Sequence, residues 1–131
     1  MVKPGNSLTV ITYGALVQKA LAAATQVERR NPGAGIETID LRSLAPYDWG
    51  AIRASVEKTS RVIVAHEDCI SWGYGAEIAA RIADELFDRL DAPVRRIGAL
   101  DTWVGYHPQL EAAILPQTET LANEMERLLR W

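Results

Sequence analysis

The chain has 131 residues, 48% of them hydrophobic and 24% charged, with a formal net charge of −3. That is the composition of one ordinary domain of about 100–200 residues. It excludes disorder, and a single cysteine, Cys69, excludes a disulfide scaffold. No apolar run approaches the roughly 18 residues of a membrane span, and a pI near 5.4 leaves no electrostatic footprint for nucleic acid. Met1 to Gly5 has no apolar signal-peptide core. A reducing, cytoplasmic setting is therefore expected, and 131 residues is small for a multi-substrate enzyme.

Leu8 to Thr12 is β-branched and apolar and ends at Tyr13-Gly14, which predicts a buried strand. Ala15 to Arg30 places Leu16, Ala20, Ala23 and Val27 on one helical face, and Asn31-Pro32-Gly33 stops it. Ile36 to Leu41 alternates as a strand does. Asp48 is placed to cap a helix running through Ile52 and Val56 to about Lys58. Arg61 to Ala65 is the clearest buried strand, followed by a loop from His66 to Gly73. A helix is predicted from about Gly75 to Leu90, because Ile78, Ile82, Leu86 and Leu90 recur every four residues with Phe87 alongside. Pro93 introduces a strand from Val94 to Gly98. A short helix near Gln109 to Leu115, a break at Pro116 and a helix from Thr118 to Leu129 complete the chain.

Strands alternating with helices predict an α/β domain on a parallel sheet covered on both faces, with right-handed crossovers. No composition shift marks a second domain, so residues 1–131 are read as one.

Ligands of parallel α/β sheets gather at the carboxyl ends of the strands. At the first such end, Gly14 lacks the companion glycines of a dinucleotide fingerprint, and a plain tight turn is favoured. No Gly-x4-Gly-Lys-Ser/Thr loop occurs anywhere, which argues against nucleotide hydrolysis. The second end, His66 to Gly75, gathers His66, Glu67, Asp68, Cys69 and Ser71. Each is able to act as acid, base, nucleophile or ligand. One cysteine and two histidines make a poor zinc set. Catalysis, anchoring of a loop or partner surface, and simple local structure all remain open there, with anchoring favoured. At the third end, Trp103, Tyr106 and His107 join Trp72 and Tyr74 as a candidate exposed aromatic surface. The alternative is that they close the end of the sheet within one chain. No catalytic, cofactor-binding or metal-binding residue is assigned.

Five segments occur in an order that resembles a known family: Thr9-Val10-Ile11-Thr12-Tyr13-Gly14, Ile39-Asp40-Leu41-Arg42-Ser43-Leu44-Ala45-Pro46-Tyr47-Asp48, Val62-Ile63-Val64-Ala65-His66-Glu67, Gly73-Tyr74-Gly75-Ala76-Glu77-Ile78-Ala79 and Asp101-Thr102. They resemble the C-terminal domain of transketolase-like enzymes. The nearest branch is the β subunit of thiamine-diphosphate-dependent 2-oxo-acid dehydrogenases of the pyruvate, branched-chain or acetoin type. The resemblance implies a three-layer α/β/α sandwich on a mostly parallel sheet of four to five strands, ordered Ile36, Leu8, Arg61, Val94. It also implies an antiparallel edge strand of which residues 1–7 are a remnant or a disordered stretch.

By the same resemblance, thiamine diphosphate and magnesium are held by other domains of the assembled enzyme, and this chain alone binds neither. The implied role is assembly and partner docking: self-association, contact with the remaining domains and the α subunit, and contact with the acyltransferase core. The family's His-Glu pair maps onto His66 and Glu67, and its glycine-rich helix start onto Gly73 and Gly75. The implied interface residues are His66, Glu67, Trp72, Gly73, Tyr74, Trp103, Tyr106 and His107. The chain departs from the family at Trp103 and Gly105, where prolines are usual, at His107, where a small residue is common, and at Cys69 to Trp72. Other readings are a free-standing oligomerisation module, a domain of another transketolase-group enzyme, and a small enzyme using His66, Glu67 and Cys69.

Overall fold

The computed structural model describes residues 1–131. Four parallel strands, β1 (Leu8–Thr12), β2 (Ile36–Asp40), β3 (Val62–Cys69) and β4 (Arg95–Ala99), lie in the order β2-β1-β3-β4. This is the order expected from the sequence. Helices α1 (Leu16–Arg30), α2 (Trp49–Thr59), α3 (Tyr74–Glu85), α4 (Pro108–Ile114) and α5 (Thr118–Leu128) complete the chain.

The layers follow from the two-residue period of a strand. In β3, Ile63 and Ala65 enter one core with Leu8 and Val10 of β1, the apolar faces of α1 and α5, and Ile97. Val62 and Val64 enter the other core with Ile11, Ile39, and the apolar faces of α2 and α3. A strand buried on both faces cannot show polar alternation, which is why Leu8–Thr12 reads as a continuous apolar run. α2 starts where the sequence places it, because the Asp48 side chain accepts from the Ala51 N–H at 2.9 Å.

Residues 1–7 run along the outer edge of β2. Val2 donates to the Thr38 carbonyl at 2.9 Å, and Lys3 and Thr38 form a single antiparallel bridge. The buried Glu37 carboxylate accepts from the Gly5 N–H at 3.2 Å and pairs with Lys58. Burial opposes charge on Glu37, but hydrogen bonds from Lys58, Ser55 and Gly5 outweigh it and hold its pKa below the usual value.

Two boundaries differ from the sequence reading by more than one residue. β3 does not end at Ala65 but continues to Cys69, past a register irregularity, to pair with Ala99. His66 and Glu67 therefore belong to a strand, not a loop. α3 ends at Glu85, five residues before Leu90, and a 3-10 turn follows at Phe87–Arg89. The Asp91 N–H donates to the Ser60 carbonyl at 2.8 Å, which draws the chain back to the end of α2. Phe87, read as part of the apolar face, is 78% exposed.

The seam between α1 and α5 is filled by fully buried side chains, Leu121 among them. Leu121→Ala is expected to lower unfolding stability by about 2–5 kcal/mol, read as a shift of the urea midpoint at unchanged slope.

Candidate functional site

Strand parity decides the site. Counting from Val62 and Val64, His66 turns to the α2/α3 face of the sheet, and Glu67 turns to the α1 face. There Glu67 meets Lys19, at 3.5 Å, and the Lys19 ammonium also donates to the Pro116 carbonyl at 3.0 Å. His66 and Glu67 are adjacent in sequence but lie on opposite sides of the sheet, so they do not form one acid–base pair.

The His66 side chain is fully buried. Three glycines make its room. A Cβ on Gly75 would lie 2.3 Å from the imidazole Cδ2 and Nε2, one on Gly73 2.8 Å from Cε1, and one on Gly98 3.1 Å from Cε1. The ring stacks on Tyr13, with centroids 6.2 Å apart and planes 21° from parallel. His66 Nδ1 lies 3.1 Å from the Asp68 carbonyl oxygen. A carbonyl only accepts, so Nδ1 carries the proton. Nε2 is then a bare lone pair, and it has no hydrogen-bond partner in the chain. Burial pushes the His66 pKa below 6.5, against the opposing pull of the Asp68 carbonyl and carboxylate, and Arg96 pushes it further down.

Tyr74 and Gly73 turn inward as well. Tyr74 packs edge-on against Tyr13 and Tyr47, and its hydroxyl donates to the Leu44 carbonyl. Trp72 is the opposite case: it is 99% exposed and adopts φ +63°. A bulky residue in the left-handed region is strained by about 1–3 kcal/mol. Two aspartates impose it. Asp68 accepts from the backbone N–H groups of Cys69 at 2.8 Å and Tyr74 at 3.2 Å, gripping both ends of the turn. Asp101 accepts from the Ser71 N–H at 3.0 Å and the Ser71 hydroxyl at 2.6 Å, gripping its middle. Hydrogen bonds from the Ser71 hydroxyl and then its N–H hold the Asp101 pKa below the usual value.

The Asp101–Ser71 tie joins the turn to the second aromatic loop, where Trp103 is 94% exposed and Tyr106 is fully exposed. His107 is also exposed, and its ring nitrogen accepts from the Gln109 N–H at 3.3 Å at the start of α4. The candidate residues therefore separate: His66, Gly73 and Tyr74 are structural at this end of one chain, Glu67 pairs with Lys19, and Trp72, Trp103, Tyr106 and His107 face outward. Asp68 was read in the sequence only as one of several groups able to do chemistry and Asp101 only as part of a family motif, and neither was assigned the bracing role it has here. A carboxylate flanking each aromatic loop was the available signal, but nothing in the spacing says that Asp101 reaches back 30 residues.

No three His, Cys, Asp or Glu side chains cluster as a metal site. Two open clefts, of about 680 and 720 Å³, lie elsewhere: one beside the end of β2 with Arg42 and Asp48, the other against Phe87, Leu90 and Val94. Neither reaches His66.

Gly75→Ala is expected to displace the imidazole and cost about 1–3 kcal/mol in chemical denaturation. The native state resists the proton that unfolded His66 accepts near pH 6.5. Unfolding therefore takes up a proton below that pH, and this contribution to stability is lost as pH falls from 6.5 toward the native pKa. The NMR shift of the His66 Cε1 proton should accordingly titrate with a midpoint below 6.5.

Residues 1–121 match the family model described as "Transketolase, C-terminal domain". The chain is 46% identical over 129 residues to the 3-methyl-2-oxobutanoate dehydrogenase subunit beta of Mycobacterium tuberculosis, covering 98% of this chain and 36% of that protein. It is 38% identical over 129 residues to the pyruvate dehydrogenase E1 component subunit beta of Staphylococcus epidermidis, covering 98% of this chain and 39% of that protein. The chain thus spans well under half the length of these relatives. Among solved structures, a split-gene transketolase described as an inactive beta4 tetramer aligns with a TM-score of 0.83 at 26% identity, over 98% of this chain and 41% of that one. A 2-oxoglutarate:ferredoxin oxidoreductase from Magnetococcus marinus shares the fold at a TM-score of 0.62 and 11% identity, over 98% of this chain and 19% of that one. With the strand order expected from the family motifs and residues 1–121 matched, the chain belongs to the transketolase C-terminal domain family.

Proposed function

We propose that this chain is the assembly and partner-docking domain of the β subunit of a thiamine-diphosphate-dependent 2-oxo-acid dehydrogenase. The observation that carries this reading is 46% identity across 98% of the chain to a branched-chain dehydrogenase β subunit, of which it spans 36%. A domain of a transketolase proper is the second reading, favoured by the 0.83 TM-score to the split-gene enzyme. The lower identity to that protein, 26%, ranks it behind the dehydrogenase branch.

In this role the chain performs no bond chemistry. The assembled enzyme decarboxylates a 2-oxo acid and passes the acyl group to a lipoyl arm, and thiamine diphosphate and magnesium are held by other domains. The enclosure of the orphaned His66 Nε2, which faces no cleft, supports this division of labour. The divergence of His66 and Glu67 across the sheet also speaks against a small independent enzyme built on them.

The partners of this reading are the α subunit, the remaining domains of the β subunit and the acyltransferase core, in the cytoplasm. No helix is long and apolar enough to cross a membrane. The outward residues Trp72, Trp103, Tyr106 and His107 are the contacts this role would use.

Isothermal calorimetry tests the reading. Titrating thiamine diphosphate with magnesium into the chain should give no binding heat. Micromolar affinity would overturn it.

A further inference from the structure

We propose that Lys58 and the buried Glu37 form a latch that holds residues 1–7 as a strap over the outer edge of β2, and that the charge on Lys58 keeps the strap closed. The latch stands independently of the functional reading, because it is built from this chain's own residues and needs no partner.

The strap satisfies β2 as a neighbouring strand would. The Thr38 N–H donates to the Lys3 carbonyl at 2.9 Å, and the Thr38 carbonyl accepts from the Val2 N–H at 2.9 Å. The Ile36 carbonyl accepts from the Lys3 ammonium at 3.0 Å. The Asn6 and Ser7 N–H groups donate to the Gly35 carbonyl at 3.1 and 2.8 Å. Left uncovered, a strand edge offers such groups to other chains. Yet none of residues 1–7 is buried, and Met1 and Val2 are exposed. Hydrogen bonds and ion pairs hold the strap, not apolar burial, so it is able to open while both cores stay folded.

Two ion pairs fasten the strap. Lys3 itself pairs with Glu28 of α1. The Gly5 N–H donates to Glu37 Oε2 at 3.2 Å, and the same oxygen accepts from the Lys58 ammonium of α2. Backbone meets backbone at this point, since a Cβ on Gly5 would lie 2.3 Å from the Glu37 nitrogen. The Glu37 side chain is 1% exposed and that of Lys58 43%. The buried charge therefore depends on a cation that solvent reaches. Without Lys58 the carboxylate is left uncompensated, and it must take a proton or draw in water. Either change weakens the charge-assisted bond to Gly5. Met1 also lines the cleft of about 680 Å³ beside the end of β2 and another of about 320 Å³ that reaches Glu37 and Lys58, so opening the strap reshapes both.

Amide hydrogen exchange of the full chain, followed by NMR near neutral pH, tests this. The Thr38 and Gly5 N–H groups report the strap, and the Thr9 N–H, bonded to the Arg61 carbonyl at 2.9 Å, reports the core. Lys58→Met keeps the apolar stem and removes the charge, and it should speed exchange at Thr38 and Gly5 about tenfold more than at Thr9. Lys58→Arg, which keeps the charge, should exchange near the rate of the unsubstituted chain. Adding Glu37→Gln to Lys58→Met should recover part of the lost protection, because no buried charge is then left unpaired. Unchanged exchange at Thr38 and Gly5 in Lys58→Met would overturn the proposal. Equal acceleration at Thr9 would do so too, since a merely structural lysine loosens the whole chain together. Lys58→Arg opening the strap as far as Lys58→Met, or the double variant opening it further, would overturn the role of charge.

Discussion

The His66 imidazole occupies the space that side chains on Gly73, Gly75 and Gly98 would need. Most of the carboxyl end of the sheet depends on that seat. With the ring buried there, the first turn of α3 approaches β3 at backbone distance, and β4 closes from the other side. Tyr13 stacks on the ring, Tyr74 meets Tyr13, and Tyr47 meets Tyr74, so one buried histidine organises the ends of β1, α2 and α3. The neutral form suits this place. A protonated ring would bury a charge with only one hydrogen bond made, to the Asp68 carbonyl, and would sit beside the positive end of the α3 dipole.

Built on that seat, the turn that follows β3 has almost no freedom. Asp68 and Asp101 fasten it from two elements, and the strain collects at Trp72. The buried His66 and the two aspartates therefore brace this end of the chain, and the loop residues that face outward are mostly aromatic.

Much of the fold was legible in the sequence because hydrophobic period reports burial directly. Ile78 and Ile82 mark the buried face of α3, with Leu86 buried just past its end, and the apolar runs of β1 and β3 announce strands covered on both sides. Local signals served equally well where the interaction is local, as with Asp48 and the Ala51 N–H. The errors share one cause. β3 runs on to Cys69 because Ala99, 30 residues later, offers it a partner, and α3 stops early because Asp91 bonds back to Ser60. Neither partner is visible in a window of neighbouring residues.

The sequence by itself determined the α/β class, the strand order implied by its family motifs, the cap of α2 and the presence of aromatic residues in two loops. Tertiary structure alone decided which residues at the carboxyl end are available. Strand parity sent His66 inward and Glu67 to the far face, three glycines from two other segments closed over the histidine, and the Asp101–Ser71 tie aligned the two loops. Periodicity records whether a residue is buried. It does not record which distant backbone buries it, and that depends on contacts between segments that only the folded chain brings together.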